Sequence, residues 1–329
     1  MKNQLQTFVA NVRLQDDGQI FFRGHPAQQS ATSDADPTLR LTEMVYKYLY
    51  THPSGQIADA FRATPSDDGL IAKISEANAT KRTVQDGWIV RTPQADGAVI
   101  AERYGAVRKF VAGQYLADPD ATPIRQGSPV TVTHLAGSKT LQPGFFHIFG
   151  QEQLDIAELA KVVRLYFNLA SPQSAAPVAK LLSETLNEYG IPFTYKTAVR
   201  VCDYSRSDTA VLYLPKRVFE VSAMAISQKL DALKPLLDQS SPTFTKPIAH
   251  GIGLAEDPSD AVSFGASRSS LVAQAMLRAQ NGDVICPTQF WNAFTDICAL
   301  ENLDIGRLYL NPGSTDTYDL PSFQPEIVK

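Results

Sequence analysis

The chain's periodic segments predict an α+β fold: a mixed or antiparallel sheet with helices packed on it, preceded by an N-terminal helical segment. Three observations predict it. Between residues 161 and 237, apolar alternation and helical spacing succeed each other as strand, helix, strand, strand, helix. From Trp88 to Phe149, short alternating stretches are broken by Gly and Pro, as in an antiparallel meander. Between Thr38 and His52, Leu41, Val45, Tyr48 and Leu49 recur at the spacing of a helix docked by one face.

In chain order, the first residues read as a short strand, followed by a Ser/Thr/Asp/Pro/Gln-rich loop from Pro26 to Pro37. The helix from Thr38 stops near His52-Pro53, because proline cannot continue it. Residues 56 to 82 carry further helical pattern. The meander holds Trp88-Ile-Val-Arg, Ala98-Val-Ile-Ala, Pro129-Val-Thr-Val-Thr and Gly144-Phe-Phe-His-Ile-Phe. A strand over 161–169 precedes a helix from about Pro172 to Tyr189, whose Ala175, Val178, Leu182, Leu186 and Tyr189 form an apolar stripe and which Gly190 stops. Strands over 193–201 and 209–214 come next, then a helix over 217–237. A loop from Phe244 runs to Ser263, the expected N-cap of a helix ending near Gly282, and a last helix covers about Pro287 to Leu300. Residues 1–84 are expected as an N-terminal strand and helical segment and 85–329 as an α+β domain; one continuous domain is the other arrangement.

The chain has 329 residues and a formal net charge of -4, with no block of like charges. That balance excludes nucleic acid and an anionic membrane as partners through bulk electrostatics, so any anion site must be local. Cys202, Cys286 and Cys298 lack paired or metal-like spacing and read as buried small hydrophobes in a reducing compartment. No apolar run reaches membrane-spanning length, and the N-terminus lacks a signal-peptide pattern, so a soluble, cytoplasmic protein is expected. There is no Gly-Lys-Ser/Thr loop, serine elbow or Cys-X-X-Cys pair, and Gly251-Ile-Gly-Leu-Ala-Glu does not follow a strand that opens directly into a helix, which argues against a dinucleotide site. His25, His52 and His134 read as surface positions.

The strand over 161–169 is the most informative segment. Alternation puts Arg164, Tyr166 and Asn168 on one face and Val163, Leu165, Phe167 and Leu169 on the other. An arginine, a phenol and an amide on one strand, with Lys196 on the next, suit a phosphorylated substrate and a proton transfer.

Several longer motifs extend this reading: Arg164-Leu-Tyr-Phe-Asn-Leu, Pro192-Phe-Thr-Tyr-Lys, Tyr204-Ser-Arg-Ser-Asp-Thr-Ala-Val-Leu-Tyr, Phe244-Thr, Gly251-Ile-Gly-Leu-Ala-Glu-Asp-Pro and Ser263-Phe-Gly-Ala-Ser-Arg. Together they resemble the HopA-type effector family, from about residue 85 to 282. That family takes its name from a type III secreted plant-pathogen effector. Its members in peptide natural-product clusters act beside an aminoglycoside-phosphotransferase-like kinase, as the lyase that makes dehydroamino acids in class V lanthipeptides and thioamitides. A more distant resemblance is to phosphothreonine lyases, whose motif order is a basic residue, a histidine acid two positions on, a helix, a lysine base and an arginine before a Thr-Leu-Tyr-Val-like strand. Here Arg164, Lys196 and Arg206 match that order, but Tyr166 occupies the histidine position, which leaves the acid open.

The resemblance implies an elimination in which phosphoserine or phosphothreonine loses its Cα proton and its phosphate, giving dehydroalanine or dehydrobutyrine. Lys196 would be the base and must be neutral to act; the alternative is a surface lysine covering the sheet. Arg164, Arg206 and Arg268 are clamp candidates, because a guanidinium binds phosphate oxygens bidentately, and Asn168 and Tyr213 are candidate orienting hydrogen-bonders. The duller readings pair Arg164 with Glu256 or Asp257 and Arg206 with Asp208. Tyr166 is either the acid or a satisfied buried hydroxyl, and His147 is a strand residue or a replacement acid; His250 has a similar standing. Glu256 and Asp257 lack a third ligand at metal-site spacing, so no metal and no organic cofactor are expected.

Two functions of different class follow. One is a phosphoserine/phosphothreonine lyase acting on the leader-and-core precursor peptide that the kinase has phosphorylated. The other is a non-catalytic HopA-type effector, secreted into a host, or a phosphopeptide-binding protein that keeps only the clamp. The absence of a long disordered secretion segment at the N-terminus counts mildly against the injected effector.

Overall fold

The structure, a computed structural model, describes residues 1–15, 17–27, 36–52, 65–117, 123–158, 161–258, 262–320 and 323. The chain opens with helix α1 (Lys2–Ala10), not the expected strand. Leu5, Phe8 and Val9 recur at helical spacing, and all three are buried. A small antiparallel group follows: β1 (Val12–Leu14), β2 (Ile20–Phe22) and β3 (His25–Pro26). Helix α2 (Pro37–Val45) starts where Asp36 accepts a hydrogen bond from the Thr38 amide, and it continues as a π-turn over Tyr46–Tyr50. Of the helical pattern read over 56–82, helix α3 (Asp68–Ala77) is present, capped by Asp67; residues 53–64 lie outside the described residues.

The meander contains β4 (Thr83–Pro93), β5 (Val99–Arg103), β6 (Ala106–Phe110), β7 (Tyr115–Ala117) and β8 (Pro129–His134), in the order β6-β5-β4-β8-β7. Trp88, Val90, Val99, Ala101, Phe110, Val130 and Val132 fill its own core. The expected meander ran on to Phe149. Instead β9 (Gly137–Ser138) and β10 (Phe145–Phe149) belong to the next sheet, because β10 pairs with β12 (Thr194–Ala198), a partner far away in sequence.

Between β10 and β12 the chain forms β11 (Val162–Phe167) and helix α4 (Ala175–Glu188); after β12 come β13 (Ala210–Pro215), α5 (Phe219–Ser227) and α6 (Leu230–Leu233). The single helix expected over 217–237 is thus broken. It breaks at residues 228–229, and α6 then ends early because Pro235 disfavours helix at Lys234, residues 234–236 forming a 3-10 turn. The expected loop after Phe244 is a hairpin of β14 (Lys246–Ala249) and β15 (Ile252–Glu256). Its turn needs Gly251, which sits at φ +66° with Asp238's carbonyl where a Cβ would stand. Helix α7 (Phe264–Arg278) begins as expected, with Ser263 Oγ accepting from the Ala266 amide at 3.2 Å. Strands β16 (Gln280–Asn281) and β17 (Val284–Ile285) then pair back towards β1, and helix α8 (Pro287–Leu300) closes the regular structure.

The seven-stranded antiparallel sheet, ordered β14-β15-β11-β13-β12-β10-β9, organises the rest. One face, with Val163, Leu165, Phe167, Leu212 and Leu214, packs with α4 and α5 in one core. On the opposite face Tyr166, Val211 and Ala255 join a second core containing α1, α2, α7 and α8. Helices α1 and α2 therefore share a core with residues 264–308 and cover one face of the main sheet, while Leu70 and Ile74 of α3 join α4 in the core on the other face.

Three local expectations also change. Cys298 is buried, but Cys202 and Cys286 are only partly so. His52 and His134 are buried, not on the surface. His52 is held by Thr51 and the Lys47 carbonyl, and His134 by the Gly150 carbonyl and Gln153, so both rings have polar partners that a sequence pattern does not show.

Candidate functional site

Register places the chemistry-bearing residues on one face of the large sheet. Arg164 pairs with Tyr213, Tyr213 with Thr194, and Thr194 with Phe149; in the next row Tyr166 pairs with Val211, Val211 with Lys196, and Lys196 with His147. Directly opposed residues share a face, so these two rows form one continuous surface.

Two aromatic rings gather three cations on it. The Arg164 guanidinium lies 5.1 Å from the centroid of the Tyr213 ring, and Lys196 Nζ lies 5.6 Å from the same centroid. Lys196 Nζ is also 4.8 Å from the centre of Phe145, which the Arg206 guanidinium approaches at 6.0 Å. These distances are in the cation–π range. Lys196 Nζ donates to Gln142 Oε1 at 3.1 Å. All three cations are partly exposed, which leaves them open to a ligand.

Both arginines have carboxylate partners, so the duller pairings read from the sequence are realised. Arg164 Nη2 donates to Asp257 Oδ1 at 2.5 Å. Arg206 grips Asp208 as a fork, Nε to Oδ1 at 2.8 Å and Nη2 to Oδ2 at 2.9 Å. The Tyr46 hydroxyl donates to Asp208 Oδ2 at 3.2 Å and accepts from Arg206 Nη2 at 3.4 Å. Burial pushes Asp208 up, but Arg206, Lys196 and the Tyr46 hydroxyl together hold the carboxyl below its ordinary range. Pairing does not saturate the guanidinium groups: among the described residues, Nη1 of Arg164 and Nη1 of Arg206 have no hydrogen-bond acceptor.

Tyr166 is buried between Tyr50 and Phe264, with ring centroids 6.4 Å and 6.2 Å away. Burial raises its phenol to about 12 although Arg164 pulls the other way, and the hydroxyl makes no hydrogen bond of good geometry. The hydroxyl faces Tyr50 and Arg164, and the group stays protonated at neutral pH. Gly265 lets the Tyr50 ring approach α7 so closely, since a Cβ there would collide with it. His147, opposite Lys196, is pushed down to about 4 by burial and then by Lys196. It is neutral at pH 7, which removes the imidazolium that a replacement acid would need.

The remaining residues lie apart from these three cations. Arg268 is buried on α7: Nε donates to the Leu308 carbonyl at 2.8 Å, Nη2 to the Leu310 carbonyl at 2.7 Å, and Nη1 to Ser267 Oγ at 3.0 Å. Its clamp role is corrected to that of a tie between α7 and the 308–310 segment. Asn168 donates to the Ser240 carbonyl at 2.8 Å and to Ser240 Oγ at 3.1 Å, so it holds a loop and does not orient a substrate. Glu256 is taken up by Lys216 Nζ at 2.6 Å, the Tyr318 hydroxyl at 2.8 Å and the Asn311 amide at 2.8 Å. Ser263 is a helix cap, and His250 faces the Leu237 carbonyl at 3.1 Å. No cluster of three or more His, Cys, Asp or Glu suited to a metal occurs among the described residues.

Tyr46, Tyr50, Gln142 and Phe145 belong to this face and were not singled out in the sequence. Tyr46 and Tyr50 flank the Leu41, Val45, Tyr48 and Leu49 stripe of a helix that reads as core packing. Gln142 stands in a loop with no pattern of its own.

The HopA1 effector protein family model matches residues 136–310, a span that contains Gln142, Phe145, Arg164, Lys196, Arg206 and Tyr213. The chain belongs to the HopA1 effector protein family. Two solved structures are similar to this HopA1-family chain. The effector protein from Pseudomonas syringae pv. tomato strain DC3000 is 15% identical, with a TM-score of 0.46, covering 82% of this chain and 90% of its own. The effector protein from Pseudomonas syringae pv. syringae strain 61 is 14% identical, with a TM-score of 0.43, covering 82% and 88%. No curated protein matches the chain. Tyr46 and Tyr50, which close the site from the N-terminal side, lie outside the family span, so this HopA1-family face is completed by a segment that the family model does not cover. No described helix is long and apolar enough to cross a membrane.

Proposed function

We propose that this HopA1-family chain is a phosphoserine/phosphothreonine lyase acting on a ribosomal precursor peptide. The observation that carries the reading is the convergence of Arg164, Lys196 and Arg206 around Tyr213 and Phe145 on one sheet face. Arg164 and Arg206 bind the phosphate through the N–H groups that their carboxylate partners leave free, and those partners keep the forks oriented. Lys196, as the free amine, takes the Cα proton; the C–H electrons form the Cα=Cβ bond as the Cβ–O bond breaks and phosphate departs. No water attacks phosphorus, and the reading calls for neither metal nor organic cofactor. Tyr46, which touches Arg206 and remains partly exposed, is the more accessible proton donor; Tyr166 is buried. The reading requires a kinase partner, of the aminoglycoside-phosphotransferase type, that phosphorylates the core of a leader-bearing precursor, and it places the chain in the bacterial cytoplasm.

A second reading keeps the same surface without turnover: an effector or phosphopeptide-binding protein acting in a host. It is favoured by the family's effector members and by the carboxylates already seated on both arginines. Incubation with phosphorylated precursor followed by mass spectrometry separates the readings. The lyase removes one phosphoric acid per site. Loss of the phosphoryl group alone, regenerating the alcohol, identifies a phosphatase, and unchanged mass with retained binding identifies the second reading.

A further inference from the structure

We infer that the cleft between the meander and the seven-stranded sheet seats an apolar side chain of the same phosphopeptide, about two residues from the phosphorylated one. The inference rests on the phosphopeptide reading above and adds to it a second contact and a sequence preference. The cleft has a volume of about 220 Å³ and is lined by Phe110, Leu135, Phe149, Leu154 and Ile156, with Arg108 at one side. That is below the roughly 300–1,000 Å³ of small-molecule sites, so the space suits a side chain better than a cofactor.

The lining is unusual in what it leaves open. Leu135, Phe149, Leu154 and Ile156 are partly exposed and belong to none of the three hydrophobic cores. Such apolar surface gains free energy when covered. The one nearby guanidinium does not favour an acidic occupant. Arg108 donates from Nη1 to Gln153 Oε1 at 3.3 Å and from Nη2 to the Gln153 carbonyl at 3.2 Å, faces Glu152 at 3.8 Å, and lies 5.5 Å from the centroid of the Trp88 ring. Its charge is already compensated.

Position selects the occupant. The row that carries Arg164 runs through Tyr213 and Thr194 to Phe149, and both Thr194 and Phe149 line the cleft. Lys196 and His147 stand two residues further along the same strands, about 6.6 Å away at the rise of a β-strand. An extended peptide covers that distance in about two residues. A peptide whose phosphorylated residue lies between Lys196 and the arginines therefore delivers a neighbouring side chain to the cleft mouth.

The test uses the full-length Lys196→Ala chain, which holds peptide without turning it over, and 11-residue phosphothreonine peptides in which a single leucine is walked through alanine flanks. Binding is read by fluorescence anisotropy. Leucine at one offset, about two residues to one side, tightens binding five-fold or more, and removing the phosphate abolishes binding. Ile156→Glu and Leu154→Gln each erase the leucine advantage yet leave the affinity for the all-alanine peptide within two-fold. A flat leucine scan with phosphate-dependent binding overturns the cleft and spares the phosphate site. A leucine advantage that survives both substitutions also overturns the cleft. Binding that ignores the phosphate, or no binding at all, overturns both.

Discussion

On β11, Val163, Leu165 and Phe167 enter the core under α4 and α5, while Arg164 and Tyr166 face the N-terminal helices and the site. The apolar face is closed by α3, α4, α5 and Leu310, Tyr318 and Phe323, and the charge it buries, Glu256 opposite Val163, is met by Lys216 and the Tyr318 hydroxyl. The other face is closed by segments from both ends of the chain and retains a partly exposed patch of cations. One face can be optimised for packing because nothing else is asked of it; the other holds three like charges together, which packing alone would disfavour.

Substitutions on the two faces should separate cleanly. Lys196→Ala is expected to lower turnover of phosphorylated precursor by about 10²–10⁴-fold, the usual contribution of a general base, with binding and thermal midpoint near the parent's. Leu165→Ala, one residue from Arg164 but on the apolar face, should cost about 2–5 kcal/mol in denaturant unfolding, with kcat of the folded fraction unchanged. Parent-like turnover in the lysine variant would remove the base assignment.

The partly exposed Arg206 and the buried Arg268 sharpen the comparison. Arg206→Lys retains charge but loses the fork, so phosphopeptide binding should weaken about ten-fold in a titration. Arg268→Lys should leave that binding alone and cost about 1–3 kcal/mol of stability, because its donors hold the carbonyls of Leu308 and Leu310. Equal binding losses in both variants would merge the two roles.

The smallest effect concerns acid. His147 is held at about 4 in the fold, below its ordinary value near 6.5, so the folded state binds fewer protons than the unfolded state between those pH values. Its contribution is fully present above pH 6.5 and is lost as the pH falls towards 4. Denaturant unfolding across that range should show His147→Gln losing about 1–3 kcal/mol less than the parent, with no difference between the two slopes above pH 7.

Much of the second half was legible because its signals are local. Alternation assigned β11, β12 and β13; helical stripes assigned α4 and α7, and Ser263 was read correctly as a cap. The failures share a cause. β15 was read as loop because Gly251-Ile-Gly-Leu-Ala lacks polar alternation, yet the strand is buried on both faces, so alternation is not required of it. Arg268 looked like a clamp because any guanidinium can bind phosphate oxygens bidentately, and only the 308–310 carbonyls show that its donors are spent.

The sequence by itself determined which side chains share a strand face, because period two follows from backbone geometry alone. It also determined that any anion site is local, since charge balance needs no coordinates. Tertiary structure decided which arginines stand beside Lys196, that Tyr46 and Gln142 join them, and that a cleft opens at the end of the Arg164 row. Those are contacts between residues tens to hundreds of positions apart, set by strand order and helix docking, and no local pattern records them.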